Sequence, residues 1–236
     1  MHNKLDILGE ALLDFSNNNK NGKLLICGED LEDEIMDVSY YFRSYEQMPE
    51  LERIALDNCL GKVLDVGAGA GSHTLHLQEQ KHDVTAIDIS IGAVSVMEER
   101  GVINAECIDI SSLKGDSFDT ILLLMNGIGI SGKLDSLASF VEHLFTLLNP
   151  GGQVIFDSTD LRYLFMEEDG SFWIDLSAKY YGELHYNYLY NNKEGKPFPW
   201  LYVDEDTMMN KCAELNIKME VIHKADEFHY LARLYR

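Results

Sequence analysis

The fold is decided at residues 62–71, which read Lys62-Val63-Leu64-Asp65-Val66-Gly67-Ala68-Gly69-Ala70-Gly71. A short, mainly apolar run leads directly into glycines at alternate positions. Such a run predicts a buried strand that enters a tight turn, because glycine adopts backbone angles that other residues avoid. Residues 72–80 then have a helical pattern. The stretch therefore predicts a strand, a glycine turn and a helix.

The alternation of strand and helix continues towards the C-terminus. Apolar patterns predict four more strands, at residues 83–89, 105–110, 118–125 and 153–156. Ser90 is a suitable N-cap for a helix that ends before Gly101, and apolar residues recur at helical spacing between Leu134 and Leu148. Five strands that alternate with helices predict an α/β fold, a doubly wound sheet with ligands beyond the carboxyl ends of its strands.

The flanking segments have other patterns. Residues 1–60 predict an N-terminal helical preamble that packs as a cap on a domain of residues 61–236. In the preamble, the acidic run 29–37 is typical of a solvated face or turn, and a lid that attracts cations is the alternative. Residues 157–200 predict a β-rich insertion on the acceptor side, with an antiparallel strand within 175–190. A helix near residues 204–215 and two closing strands follow.

Composition limits the possible partners. The net charge of −21 and the lack of a Lys/Arg cluster in the sequence disfavour nucleic acid. No apolar run approaches the roughly 18 residues that a membrane span needs, so the sequence predicts a cytoplasmic protein. The cysteines and histidines lack metal-ligand spacing, and we expect no metal. The oligomeric state does not follow from the sequence.

Two features of the glycine turn indicate the charge of its ligand. Ser72 stands where a dinucleotide-binding fingerprint has its third glycine, and Asp65 ends the strand. A carboxylate repels a pyrophosphate but attracts a cationic nucleoside with a sulfonium and an amino group. Charge therefore favours S-adenosylmethionine over NAD.

A second carboxylate lies about twenty residues beyond the glycines. Asp88 ends the predicted second strand, a position from which its two oxygens would accept both ribose hydroxyls. The next residue, Ile89, would pack against the adenine face. A turn-forming Asp is the structural alternative.

Taken in order, these motifs resemble the class I S-adenosylmethionine-dependent methyltransferases. The resemblance rests on residues 63–71, the Asp88 strand, Asp109-Ile110 and residues 148–152, and it covers about residues 50–160. It implies a mostly parallel seven-stranded sheet whose last strand is antiparallel. It also implies a cofactor site, with the methionine part near Asp65, Gly67, Ala68, Gly69 and Gly71, the nucleoside near Asp88, Ile89, Asp109 and Ile110, and the reacting end near Met125 and Asn126.

The residues that act on the acceptor are less evident. Strand four ends Leu124-Met125-Asn126-Gly127, unlike enzymes that methylate planar amino groups. A small-molecule acceptor is the main remaining interpretation, and a protein side chain is the alternative. Methyl transfer to a good nucleophile needs mainly an in-line approach, and a base only when the acceptor must lose a proton. His73, Tyr41, Arg43 and Asn126 are the candidates for positioning it, although surface or core roles fit them too. Tyrosines between 180 and 190 could line an acceptor pocket or a half-buried hairpin.

Two other functions compete with methyl transfer. The fold could bind the cofactor only as a sensor or scaffold, or it could serve an NAD-dependent oxidoreductase. Cofactor titrations and a turnover assay would separate the three.

Overall fold

The protein is described by a computed structural model at residues 5–19, 22–28, 32–115, 117–167, 171 and 179–236. Its α-helices are α1 (Ile7–Ser16), α2 (Glu50–Asp57), α3 (Ser72–Glu79), α4 (Ile91–Arg100), α5 (Leu134–Thr146) and α6 (Glu205–Glu214). Short 3-10 helices occupy Val38–Phe42, Tyr45–Gln47, Ile110–Ser112, Gly127–Ser131 and Leu161–Phe165. In the described part of the chain, none of the helices combines the length and the apolar character that a bilayer span requires.

The strands form two sheets. The first five strands are β1 (Leu24–Gly28), β2 (Glu34–Met36), β3 (Lys62–Val66), β4 (Asp83–Asp88) and β5 (Ala105–Cys107). The others are β6 (Phe118–Leu123), β7 (Leu148–Thr159), β8 (Glu183–Tyr190), β9 (Lys193–Glu194), β10 (Phe198–Leu201), β11 (Lys218–Lys224) and β12 (His229–Tyr235).

The larger sheet has seven strands in the order β11-β12-β7-β6-β3-β4-β5. Strand β4 runs parallel to β3 and β5, and β6 runs parallel to β7, whereas β12 is antiparallel to β7 and β11. The predicted doubly wound α/β fold is confirmed. Residues 63–66 of β3 are all buried, which explains the apolar character of Val63, Leu64 and Val66, since helices can cover both faces of a parallel sheet.

Four strands have ends that differ from the sequence prediction, and β4 and β6 differ least, since they end at Asp88 and Leu123 instead of residues 89 and 125. Strand β5 ends at Cys107 instead of residue 110, because Asp109 caps a 3-10 turn with its side chain. Strand β7 begins at Leu148 and continues to Thr159, beyond the predicted 153–156. It is longer because it has a hydrogen-bonded neighbour on each side, β6 and β12, and the pairing with β12 reaches Thr159.

The smaller sheet joins segments that are distant in sequence. Its order is β10-β8-β1-β2, and β9 pairs with β8. The antiparallel strand predicted within 175–190 is therefore β8, which pairs with β1 of the preamble, while residues 175–178 lie outside the described residues. In the acidic run, residues 34–36 form the strand β2 and not a turn, although Glu34 and Ile35 are exposed. Residues 29–31 lie outside the described residues.

The chain divides into two compact units. The first comprises Met1–Met48, Leu60–Lys114 and His185–Phe198, and the second comprises Pro49–Cys59, Gly115–Leu184 and Pro199–Arg236. The division predicted from the sequence, a preamble of residues 1–60 on a domain of residues 61–236, stays a prediction.

In the first unit, helix α1 packs closely on helix α4. One oxygen of Asp6 caps α1 by accepting the Gly9 N–H (2.9 Å), and the other accepts the Ser90 hydroxyl (2.8 Å) and the Gly92 N–H (2.9 Å). A Cβ at Gly92 would lie 2.6 Å from the Cα of Gly9. Glycine is therefore required where the two helices meet, because a side chain would separate their backbones.

We expect Gly92→Ala to destabilise the protein by about 1–3 kcal/mol, the usual cost of overpacking. In an open helix the same change would stabilise it by roughly 0.5–1 kcal/mol. Chemical denaturation of the whole chain measures the difference. Glu98→Ala, at an exposed position of α4, is the matched control and should change the free energy of unfolding by less than about 0.5 kcal/mol. A stabilised Gly92→Ala variant would contradict the close packing of α1 on α4.

Candidate functional site

The glycine turn after β3 has a backbone that only glycine adopts without strain. Gly67, Gly69 and Gly71 have φ angles of 70°, 57° and 79°, all in the left-handed region. Gly71 is also the N-cap of α3. The turn lies at the carboxyl end of β3, where doubly wound sheets bind ligands, and Gly67 is exposed there while Gly69 and Gly71 are buried.

Tyr41 of the preamble lies directly on this turn. A Cβ at Gly69 would be 2.8 Å from the Tyr41 ring. The backbone carbonyl of Tyr41 accepts a hydrogen bond from the Ser72 hydroxyl (2.7 Å). The Tyr41 hydroxyl donates to the sulfur of Met36 (3.3 Å). Burial raises the pKa of Tyr41 to about 12. The structure thus brings one candidate, Tyr41, to the predicted cofactor site.

Asp88 connects the end of β4 to the same turn. One carboxylate oxygen accepts the Gly69 N–H (3.0 Å) and the other accepts the Ser90 N–H (2.8 Å). Burial raises the pKa of Asp88 to about 6, although these two donors oppose the shift. A buried carboxylate that holds backbone N–H groups is suited to accept ribose hydroxyls as well, since each oxygen has more than one lone pair.

Asp65 has a different environment. It is 2 % exposed and accepts a hydrogen bond from the Thr74 hydroxyl in α3, with 2.6 Å between the two oxygens. Burial raises its pKa, whereas the charge of His73 and the Thr74 hydrogen bond act in the opposite direction. His73, also buried, belongs to the same helix. The Asp65 side chain thus secures the start of α3, and its contact with the cofactor stays a prediction.

The adenine-side candidates differ in exposure. Ile89 is 77 % exposed directly after β4, so its apolar surface is open to a ligand. Ile110 is buried, and one oxygen of Asp109 accepts the Ser111 N–H at 2.9 Å. Ile89 is therefore the side chain that is available to a planar base, while contacts of Asp109 and Ile110 stay predictions.

Met125 and Asn126 follow β6 in the second unit. Both have φ near 60°, which is uncommon outside glycine and is found at functional sites where surrounding contacts hold it. The Asn126 N–H donates to both oxygens of Asp157, at 3.1 and 3.0 Å. Among the described residues, the buried Oδ1 of Asn126 has no hydrogen-bond partner.

The remaining candidates have mainly local contacts. Arg43 donates through Nε to the carbonyl of Tyr40 and lies 5.1 Å from the centre of its ring. Tyr180 and Tyr181 both donate hydrogen bonds to Asp204. These contacts do not assign an acceptor role to Arg43 or to the tyrosines. The described residues contain no group of three His, Cys, Asp or Glu that could hold a metal ion.

Sequence reasoning missed two features of the site. Arg100 of α4 donates to the hydroxyl of Ser72 at 3.2 Å and therefore supports the glycine turn. His229 lies 2.8 Å from Asp157, measured from Nε2 to Oδ2. No sequence signal marks either pair, because 28 and 72 residues separate the partners.

The fold and the glycine turn define a nucleoside-binding α/β protein, and comparison with known proteins identifies its class. A family model described as "Methyltransferase domain" matches residues 63–152. A crystal structure of an S-adenosylmethionine-dependent methyltransferase from Bacteroides fragilis, in complex with S-adenosyl-L-homocysteine, is 41 % identical. The match covers 100 % of this chain and 96 % of that one, with a TM-score of 0.92. The chain belongs to the S-adenosylmethionine-dependent methyltransferases, and S-adenosylmethionine is its cofactor.

Two more distant structures show the same fold. An S-adenosylmethionine-dependent methyltransferase from Clostridium acetobutylicum is 15 % identical, with a TM-score of 0.59 and coverage of 80 % of this chain and 92 % of that one. A sugar N-methyltransferase from a Streptoalloteichus species is 16 % identical, with a TM-score of 0.54 and coverage of 86 % and 94 %. Among curated proteins, none matches the chain.

We expect Gly69→Ala to weaken S-adenosylmethionine binding at least tenfold, because the new methyl group would displace the Tyr41 ring from the turn and strain a positive φ. Isothermal titration calorimetry measures the affinity. Gly101→Ala is the matched control, since Gly101 has φ +96° but a Cβ there meets nothing within 4 Å. It should lower stability and leave cofactor affinity unchanged. Equal affinity in both variants would show that the turn does not approach the ligand.

Proposed function

We propose that this methyltransferase moves the methyl group of S-adenosylmethionine to a small-molecule acceptor by in-line displacement. The observation that carries the proposal is Asp88, a buried carboxylate at the end of β4 that contacts the glycine turn and precedes an exposed isoleucine. This arrangement offers an acceptor for ribose hydroxyls and an apolar surface for a base within two residues. These features support a site for the methyl donor at the carboxyl end of β4.

The proposed cofactor contacts follow the chain. Backbone of the turn and Asp65 would surround the methionine part, and Asp88 and Ile89 would hold the ribose and adenine. The adenine amino edge would meet Asp109 and Ile110, and the reacting end would meet Met125 and Asn126. The full proposed set is Asp65, Gly67, Ala68, Gly69, Gly71, Asp88, Ile89, Asp109, Ile110, Met125 and Asn126.

The charge of the protein supports a small acceptor. With 40 acidic and 19 basic residues, the chain repels polyphosphates, and its lysines and arginines do not cluster in the sequence. The Streptoalloteichus neighbour acts on a sugar, and its likeness to this chain extends to the fold alone. The sulfonium is already activated, so the enzyme's task is to orient the two reactants and to exclude water.

We expect Asp88→Ala to weaken S-adenosylmethionine binding by at least an order of magnitude, because the ribose hydroxyls lose their acceptor. Calorimetry measures this change. The matched control is Asp83→Ala, which removes an exposed carboxylate at the other end of β4 and should bind S-adenosylmethionine with the wild-type affinity. Unchanged affinity in Asp88→Ala would refute the ribose contact.

The alternative functions predict other results for the wild-type protein. Tight S-adenosylmethionine binding without turnover on any acceptor would favour a sensor or scaffold, and binding of reduced nicotinamide would favour an oxidoreductase.

Cofactor affinity should depend on pH through Asp88. The ionised carboxylate accepts hydrogen bonds from hydroxyls, and its pKa in the free protein is about 6. Affinity should therefore be high at pH 7 and fall about tenfold by pH 5, because binding must then compete with protonation. Affinities measured across this range test the dependence. Asp88→Asn, which does not titrate, should show a flat profile, and a wild-type profile that is equally flat would contradict this role.

A further inference from the structure

Asp157 holds two residues together at the carboxyl end of β7. This carboxylate is 1 % exposed, and both of its oxygens accept the Asn126 N–H. It also contacts Nε2 of His229, the first residue of β12, at 2.8 Å. Strands β6 and β7 are parallel, and their last paired residues are Leu123 and Phe156. Asn126 therefore lies just beyond the carboxyl end of β6, and Asp157 lies in β7 one residue beyond its pairing with β6. Doubly wound sheets bind their reactants at this edge.

The contact with Asp157 determines which ring nitrogen of His229 carries hydrogen. A carboxylate only accepts hydrogen bonds, so Nε2 is the donor and a neutral ring keeps its lone pair on Nδ1. Within the described ranges, Nδ1 makes no hydrogen bond, and the His229 side chain is 31 % exposed. The imidazole is thus oriented through one nitrogen and able to accept a proton at the other.

The charges that act on the ring are carboxylates from three further elements. The hydrogen bond to Asp157 of β7 raises the pKa of His229 above its usual range, and Asp226 of the β11–β12 turn and Glu52 of α2 add to the shift. Burial opposes them. These groups make the surroundings of the imidazole favourable for a cation.

Asn126 supplies a second acceptor beside the same carboxylate. Its Oδ1 is buried and has no partner among the described residues. A buried acceptor without a donor is costly, and such an atom indicates a ligand that supplies an N–H or O–H. Asn126 and His229 are both hydrogen-bonded to Asp157. Two acceptor atoms, Oδ1 of Asn126 and Nδ1 of His229, therefore belong to residues that share one buried carboxylate.

We propose that His229, positioned by Asp157, takes the proton from the acceptor, and that the acceptor atom is the nitrogen of a protonated amine. The inference deepens the proposed function and rests on it. An ammonium group has the donors that both acceptors lack and the charge that the carboxylates favour. Asn126 Oδ1 would accept a second N–H of the same group and orient it.

The ammonium nitrogen loses one proton to Nδ1 of His229, and Asp157 stabilises the imidazolium. The freed lone pair forms a C–N bond to the methyl carbon while the C–S bond breaks and its electron pair stays on sulfur. The products are a methylated ammonium, neutral S-adenosylhomocysteine and an imidazolium that returns its proton to solvent.

The first experiment needs no known acceptor. Nitrogen NMR of the full chain with labelled histidine and bound S-adenosylhomocysteine reports the tautomer of His229, with His229→Gln for its assignment. We expect hydrogen on Nε2 in the neutral ring and a saturable shift with 1-propylamine but not with 1-propanol. Asp157→Asn should move the hydrogen to Nδ1, because the Asn amide can donate to Nε2. A wild-type ring with hydrogen on Nδ1, or no shift with the amine, overturns the proposal.

The second experiment measures transfer from methyl-labelled S-adenosylmethionine to paired acceptors, glucosamine against glucose and 1-propylamine against 1-propanol. His229→Gln should lower kcat for the amines roughly a hundredfold or more and leave cofactor affinity unchanged. Asp157→Asn should lower kcat and displace the acidic limb of the pH profile. His223→Gln, on the neighbouring strand β11, is the matched control and should behave as the wild type.

The two proposals fail in different ways. If the wild type does not bind S-adenosylmethionine, the proposed function is wrong. If it binds the cofactor normally but methylates only the alcohols, the amine acceptor alone is wrong. Full amine methylation by His229→Gln would overturn the role of His229 while leaving the methyltransferase assignment intact.

Discussion

The structure of the site depends on a buried carboxylate that accepts backbone N–H groups. Asp88 holds the Gly69 N–H on one side and the Ser90 N–H on the other, so the glycine turn and the start of α4 share one anchor. Burying this charge is unfavourable, as its pKa near 6 shows, and the N–H donors offset only part of the cost. A cofactor that brings ribose hydroxyls would add further compensation.

The second unit also has a buried carboxylate that accepts a backbone N–H, but its other partner is different. Asp157 also lies near the carboxyl end of its strand and accepts a backbone N–H, that of Asn126, whose positive φ it helps to hold. Its additional partner is an imidazole instead of the N-cap of a helix. One carboxylate therefore anchors the glycine turn and the other orients a titratable ring, because their second partners differ in chemistry.

Prediction from sequence succeeded where contacts are local. Strands β3, β4 and β6 have apolar patterns of their own, and Gly67, Gly69 and Gly71 mark the turn because their φ angles demand it. It was less accurate for β5 and β7, whose ends are set by the Asp109 cap and by pairing with β12. The acidic run that contains residues 34–36 does not predict a strand, since β2 depends on its hydrogen bonds to β1.

The sequence by itself determined the α/β alternation, the glycine turn, the strand-end Asp88 and, through ordered motifs, the methyltransferase class. Hydrophobic periodicity, the backbone freedom of glycine and charge are properties of a few neighbouring residues, so they can be recognised in a single sequence. Only the tertiary structure brought Tyr41 onto Gly69, Asp6 onto the start of α4, and His229 onto Asp157. These contacts join residues 28 to 86 positions apart. Sheet pairing and helix packing create them, and no local pattern of residues encodes such distances.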